Sequence, residues 1–331
     1  MPAPARNAET DQRRLSMLRS ACDGAVRAAL DASDVIEILA NPDGSIWIER
    51  AGRGIDIDPS TITAAARERI IRLVASSIGE ACDRSAPIIS AELTGSGERF
   101  EGLLPPVSEA PCFAIRKPAT VPFTLDDYVR QGALAPATAT ALQEALTSRA
   151  NILIAGGTSS GKTTFTNALL AESALSEDRV VILEDTRELK CAAPNAVSLR
   201  THRGRVDLTD LVRSTMRLRP DRIIVGEVRG PEALDLIKAW NTGHPGGITT
   251  LHANSAHAAL QRLEHLAMEA ATTPPRDLIG EAIDVVLFMT RQGGERRIDE
   301  ALSVAGFDGD TYITAPLTAP QLSLVNQGEM K

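Results

Sequence analysis

Residues 151–170 read NILIAGGTSSGKTTFTNALL, and this stretch decides the fold. Residues 151–155 form a short apolar run of strand length, and an amphipathic segment follows from Thr163. Between them Gly156-Gly157-Thr158-Ser159-Ser160-Gly161-Lys162-Thr163 fits G-x-x-x-x-G-K-[ST], with Thr164 next in line. Gly156 and Gly161 allow backbone geometry that a Cβ would block, so successive N–H groups can turn inward around a phosphate. The helix behind the loop adds the positive end of its dipole. Lys162 can reach the β- and γ-phosphates, and the Thr163 hydroxyl can ligate Mg2+. A strand before the loop and a helix after it are the context that this motif requires. The stretch predicts a nucleoside triphosphate site over residues 156–164.

Downstream, three apolar runs each end in polar residues. VVIL at 180–183 leads into Glu184-Asp185-Thr186-Arg187-Glu188. RIIV at 222–225 leads into Gly226-Glu227-Val228-Arg229, and ITTL at 248–251 into His252-Ala253-Asn254-Ser255. Helical patterns separate them, opened by Gly230-Pro231 and by Asn254-Ser255, and a further strand pattern covers 285–289. This alternation predicts an α/β unit with a mainly parallel sheet covered by helices on both faces. Ligands of such sheets gather at the carboxyl ends of the strands. There Glu227 is the best general base, and positioned bases contribute about 10²–10⁴-fold. Glu184, Asp185 and Glu188 either bind Mg2+ through water, polarise the nucleophile or form structural ion pairs. His252 is placed to bond a γ-phosphate or Glu227, and its interval from His244 fits no familiar metal site.

The amino-terminal half reads differently. A helical pattern covers 11–30, strands cover 35–39 and 46–49, and Pro59-Ser60 opens a helix carrying Ile62, Ala66, Ile70, Leu73 and Val74. Strand patterns recur at 88–93, 99–104 and 112–116, which predicts a small α+β domain with a largely antiparallel sheet over 1–116. KPATVPF at 117–123 reads as a linker to a domain over 124–331, and the Thr/Pro/Gly-rich tail after Phe307 as loosely ordered.

The chain has 331 residues, 43% hydrophobic and 24% charged, enough apolar material for two cores. A net charge of −8 and 3% aromatics argue against direct nucleic-acid binding, by bulk electrostatics or by base stacking. Four cysteines form no C-x-x-C pair, which speaks for a reducing compartment and against a zinc site or disulfide framework. No apolar run approaches the roughly 18 residues of a membrane span, and the amino terminus lacks a signal-peptide core. The expectation is a cytoplasmic protein that meets a membrane through partners. Arg200, Arg203, Arg205, Arg213, Arg217, Arg219 and Arg222 form a basic cluster, read as a surface or a subunit or pore contact.

GGTSSGKTT, EDTREL, MRLRPDRIIVGEVRG and TGHPGGITTLHANS occur in the order and spacing of the type II/type IV secretion ATPases, which this sequence resembles. DVIEILANPDGSIWIE, GERFEGLLPP and FAIRKPA extend the resemblance upstream, and the wording is most similar to the conjugal-transfer, TrbB-like branch. The resemblance implies a RecA-like P-loop NTPase domain preceded by a smaller α+β regulatory and oligomerisation domain. It implies a hexameric homo-oligomer, ATP and Mg2+ as cofactors, and inner-membrane components of a conjugative apparatus as partners. By motif match Lys162 and Thr163 are the Walker A pair, and Glu184, Asp185 and Glu188 fall in the acidic box. Glu227 is the Walker B glutamate, with Mg2+ held by Thr163 and reached from Glu184 and Glu227 through water. His244 and His252 fall in the His box. Arg99 and Arg116 match the N-domain arginines that such enzymes bring onto the phosphates.

Overall fold

Alternating apolar and polar residues in the first 120 positions build one sheet. The computed structural model describes residues 17, 20–22, 24–51, 53–93, 97–117, 123–202, 204–292 and 295–317. The chain divides into two units, Met1–Thr120 and Val121–Lys331. In the first, β1 (Val35–Ala40), β2 (Ser45–Arg50), β3 (Gly54–Thr61), β4 (Ile88–Glu92), β5 (Arg99–Leu103) and β6 (Cys112–Arg116) take the order β3-β2-β1-β6-β5-β4. Every neighbouring pair is antiparallel. Ile38, Ile48, Phe100, Phe113 and Ile115 share a core with Val26 of helix Gly24–Asp31 and with Ile70, Ile71 and Val74 of helix Ala64–Ser77. The expected α+β unit is what forms.

One boundary in it moves. Pro59 and Ser60 belong to β3, and the helix starts at Ala64, capped by the Thr63 hydroxyl, which accepts from the Ala66 amide. A proline has no N–H for a ladder, and β3 tolerates it because it is an edge strand. Most of the helical pattern over 11–23, the linker core 118–122, Thr94-Gly95-Ser96 and Arg203 lie outside the described residues.

The second unit contains β7 (Ile152–Gly156), β8 (Arg179–Glu184), β9 (Asn195–Arg200), β10 (Arg222–Val225), β11 (Ile248–Leu251), β12 (Val285–Gln292), β13 (Glu295–Phe307) and β14 (Tyr312–Pro316). Their order is β14-β13-β12-β7-β11-β10-β8-β9. From β12 to β9 the pairs are parallel, and the β12–β13 and β13–β14 pairs are antiparallel. β7 is wholly buried, as its unbroken apolar run demands. Ile152 and Ile154 pack in one core with Phe165 of helix Lys162–Leu170. Leu153 and Ala155 face the other core, with Leu236 of helix Glu232–Asn241 and Leu260 of helix Ala256–Ala267.

Two expectations are corrected here. Residues 308–317 are ordered, and the rest of the tail lies outside the described residues: Tyr312 sits with its ring 5.3 Å from that of Phe307 and donates through its hydroxyl to buried Glu264 at 2.9 Å. Arg276 donates to the second oxygen of Glu264 at 2.9 Å, so the β13–β14 hairpin is tied to helix Ala256–Ala267. The arginine cluster is not one surface either. Arg222 is fully buried and bonds Asp178 and the Leu146 carbonyl at the amino ends of the strands. Arg213, by contrast, pairs with Asp235 at the surface. A buried guanidinium needs such partners, because removing one would strand a charge in the core.

At the same end of the sheet the Asp284 carboxylate accepts from the Asn151 amide at 2.7 Å. Burial pushes its pKa up to about 6. Its folded value lies above the unfolded one, so its contribution to stability is full below the unfolded pKa and is lost as pH rises through 6. Asp284→Asn keeps an oxygen for that amide without the charge. It should raise the melting midpoint at pH 7.5 by roughly 3–6 °C, with the gain shrinking as pH falls to 5. Thermal melts of both proteins across that range check it, and a pH-independent gap would contradict the assignment.

Candidate active site

The loop between β7 and helix Lys162–Leu170 is shaped by close approach. A Cβ on Gly156 would come within 2.5 Å of the Met289 carbonyl and 2.6 Å of Ser160 Oγ. Gly161 caps the helix with φ +99°, and Ser159 holds φ +59° without the freedom of a glycine. Lys162 is buried, and its Nζ donates to the carbonyls of Gly156 at 2.9 Å and Gly157 at 3.0 Å. The loop thus supplies the ammonium with partners of its own.

From Lys162 a line of polar contacts crosses the strand ends. His252, just past β11, has Nδ1 3.4 Å from Lys162 Nζ and Nε2 3.0 Å from Glu227 Oε1. Glu227, two residues past β10, accepts at its other oxygen from Arg229 at 2.5 Å. Arg229 also lies 3.6 Å from Asp185, which accepts from the Thr201 hydroxyl at 3.0 Å. Burial disfavours the charged form of Glu227. The Arg229 hydrogen bond and the charges of Arg229, His252 and Lys162 outweigh it and hold the carboxyl below its ordinary value. Arg229 is raised in turn, chiefly by its bond to Glu227 and further by Asp185 and Glu188.

Glu184 sits differently. It is buried, and its Oε1 accepts from the amides of Glu188 at 2.8 Å and Leu189 at 2.9 Å, which closes the acidic loop on itself. Gly226 leaves little room beside it, since a Cβ there would meet Glu184 Cγ at 3.1 Å. Asn167 of helix Lys162–Leu170 donates to the Glu188 carbonyl and accepts from the Lys190 amide, joining the acidic loop to the phosphate-loop helix. His244 is not at the site. It precedes β11, with Nδ1 3.0 Å from the Pro220 carbonyl before β10, so it belongs to the opposite strand ends. Arg99 and Arg116 belong to the first unit, where they stand opposite each other on β5 and β6, with Glu37 opposite Arg116 on β1.

Among the described residues no group of three or more His, Cys, Asp or Glu side chains converges as a metal cage. The donors at the loop, one Thr163 hydroxyl with carboxylates a layer away, fit a hard cation that keeps phosphate oxygens and water as its main ligands. The backbone cradle fits a phosphate chain.

The type II/IV secretion system protein family model matches residues 25–292. The chain belongs to that family. Over 86% of its length it is 51% identical to the conjugal transfer protein TrbB of Rhizobium radiobacter, covering 88% of that protein. It is 49% identical over 91% of its length to the probable conjugal transfer protein TrbB of Sinorhizobium fredii, covering 92% of it. The X-ray structure of the Legionella pneumophila ATPase DotB matches with a TM-score of 0.57 at 20% identity, over 92% of this chain and 82% of that one. The fold is therefore that of these secretion proteins, a RecA-like P-loop domain preceded by a smaller α+β domain.

Within the family motifs, sequence reasoning missed the role of Arg229. In extended chain, residues two apart face the same way, so Glu227 and Arg229 in GEVRG already shared a side. With Arg229→Ala, Glu227 loses its strongest counter-charge and should titrate at higher pH. The carboxyl carbon-13 shift of Glu227 followed by NMR reads this directly. An unmoved titration would show that Lys162 and His252 alone hold the carboxylate charged.

Proposed function

We propose that this chain is the ATP-hydrolysing motor of a conjugative type IV secretion apparatus: a cytoplasmic, Mg2+-dependent ATPase that works as a hexameric ring against inner-membrane partners. The observation that carries the reading is the unbroken line of contacts from Lys162 through His252 to Glu227 at the mouth of the phosphate loop. The high identity to conjugal transfer proteins supports the conjugative branch. Among the described residues no helix is long and apolar enough to cross a membrane, in keeping with docking through partners.

ATP is the substrate, and residues 156–164 cradle its phosphates. Lys162 leaves the two loop carbonyls for the β- and γ-phosphate oxygens, because an anionic acceptor adds an ion-pair attraction that a neutral carbonyl lacks. Thr163 would hold Mg2+, with Glu184 and Glu227 placed to reach it through water, and the cation would supply charge neutralisation at those oxygens. Glu227 orients the attacking water and accepts its proton. Its lowered pKa makes it a weak base, so its contribution is chiefly positioning, which is what phosphoryl transfer needs most. His252 holds one Glu227 oxygen and, once Lys162 has moved, turns Nδ1 to the γ-phosphate. Asp185 and Glu188 hold Arg229, which fixes the other Glu227 oxygen. Arg99 and Arg116 bring positive charge to the γ-phosphoryl from the first unit.

Phosphate release measured against protein concentration, for wild type and Glu227→Gln, tests the reading. Turnover per chain should rise as the protein assembles. Glu227→Gln should retain ATP binding and lose turnover by about 10²-fold or more. Wild type that binds ATP and shows no turnover at any concentration, with or without membranes, would overturn it.

A further inference from the structure

Two positions of the phosphate loop with left-handed backbone share one neighbour. Arg296, at the start of β13, donates through Nε to the Ser159 carbonyl at 3.3 Å. Its Cδ lies 2.8 Å from where a Cβ on Gly161 would stand, so its stem crosses that glycine. Ser159 and Gly161 are the residues at φ +59° and +99°. The left-handed conformation is unfavourable for a non-glycine residue, and it persists only where surrounding structure over-determines it. For Ser159 the described surroundings that bond its carbonyl are this arginine. Arg296 lies beyond residues 25–292 matched by the family model, on the hairpin that adds an antiparallel edge to the parallel sheet. Further along the same strand Glu300 accepts from the Ala256 amide at 3.0 Å, in the helix that follows His252. β13 therefore touches the phosphate loop at one point and the His252 segment at another.

We propose that Arg296 is a positioning residue for nucleotide binding, which holds the Ser159–Gly161 turn in its phosphate-receiving form before ATP arrives. The inference rests on the reading of residues 156–164 as the ATP site. If the turn relaxes without Arg296, only part of the population is competent, and the apparent affinity falls by that fraction while chemistry in the bound state is kept. A glycine at position 159 adopts the left-handed form freely. It should therefore relieve the need for the arginine.

The test is a double-mutant cycle on the full chain with wild type, Arg296→Ala, Ser159→Gly and the double variant. Binding is read with a fluorescent ATP analogue labelled on the ribose, hydrolysis by phosphate release, and folding by thermal melts. Arg296→Ala should raise Kd and KM about 5–20-fold with kcat at saturation changed less than about 2-fold. Arg296→Lys keeps the stem over Gly161 and should recover part of the loss. In the Ser159→Gly background the arginine substitution should cost less than about 3-fold, since the strain it opposes is gone. An equal loss in both backgrounds would show that Arg296 acts on the phosphates by charge and would overturn the positioning role. So would a fall in kcat with Kd unchanged, or full affinity in Arg296→Ala. Wild type that binds no nucleotide at all would instead sink the ATP reading itself.

Discussion

Lys162 is bonded to the loop it belongs to. Its ammonium is buried, and a buried charge must be paired or hydrogen-bonded. The carbonyls of Gly156 and Gly157 meet that demand, with His252 Nδ1 close by. Any anion entering the loop has to draw the lysine away from all three. That displacement cannot stay local, because the same imidazole rests on Glu227 through its other nitrogen, and Glu227 rests on Arg229. The geometry makes occupancy of the loop and the setting of the carboxylate two ends of one chain of contacts.

Such a chain needs a fixed frame, and the frame is the opposite end of the sheet. Arg222 and Asp178 lock β10 against the segment before β8, and Asn151 bonds Ala282 and Gly247 so that β7, β11 and β12 begin in register. Gly247 lies so close under Trp240 that a Cβ would fall 2.1 Å from its ring, and Trp240 donates to the Ile223 carbonyl. Side chains with no room to rearrange hold the amino ends of the strands. Polar side chains crowd the carboxyl ends, Arg229 and His252 half-exposed and Glu227 largely buried between them. Interiors of native density transmit strain, so the mobile chemistry sits where packing is thinnest.

The sequence made the parallel sheet readable because β7, β8, β10 and β11 are short, almost wholly buried and each followed by a polar cluster. The phosphate loop, Glu227 and His252 were legible for the same reason. Three features were hidden. β9, at the sheet edge, and most of β13 are only partly buried, and β13 begins with the charged run ERRIDE, which masks a strand. β14 depends on Tyr312 finding Glu264, a contact 48 residues away that local pattern cannot hold. Arg222 sits among six other arginines in sequence, and nothing local shows that it alone among the described ones is matched to a buried aspartate.

The acidic loop after β8 shows why motif and role need not coincide. Glu184 opens the acidic string, yet its described bonds fold that loop over Glu188 and Leu189. Asn167 then joins the folded loop to the phosphate-loop helix by two further bonds. Helix and acidic loop consequently form one rigid piece, carrying Lys162 and Asp185 together. Glu227 and His252 follow different strands, and side-chain contacts reach from them to that piece, at Arg229 on one side and Lys162 on the other. A rearrangement triggered at the phosphates will therefore shift these side chains against a rigid partner. Side-chain pairs of this kind exchange far more cheaply than a packed sheet deforms, which is the arrangement a cyclic machine requires.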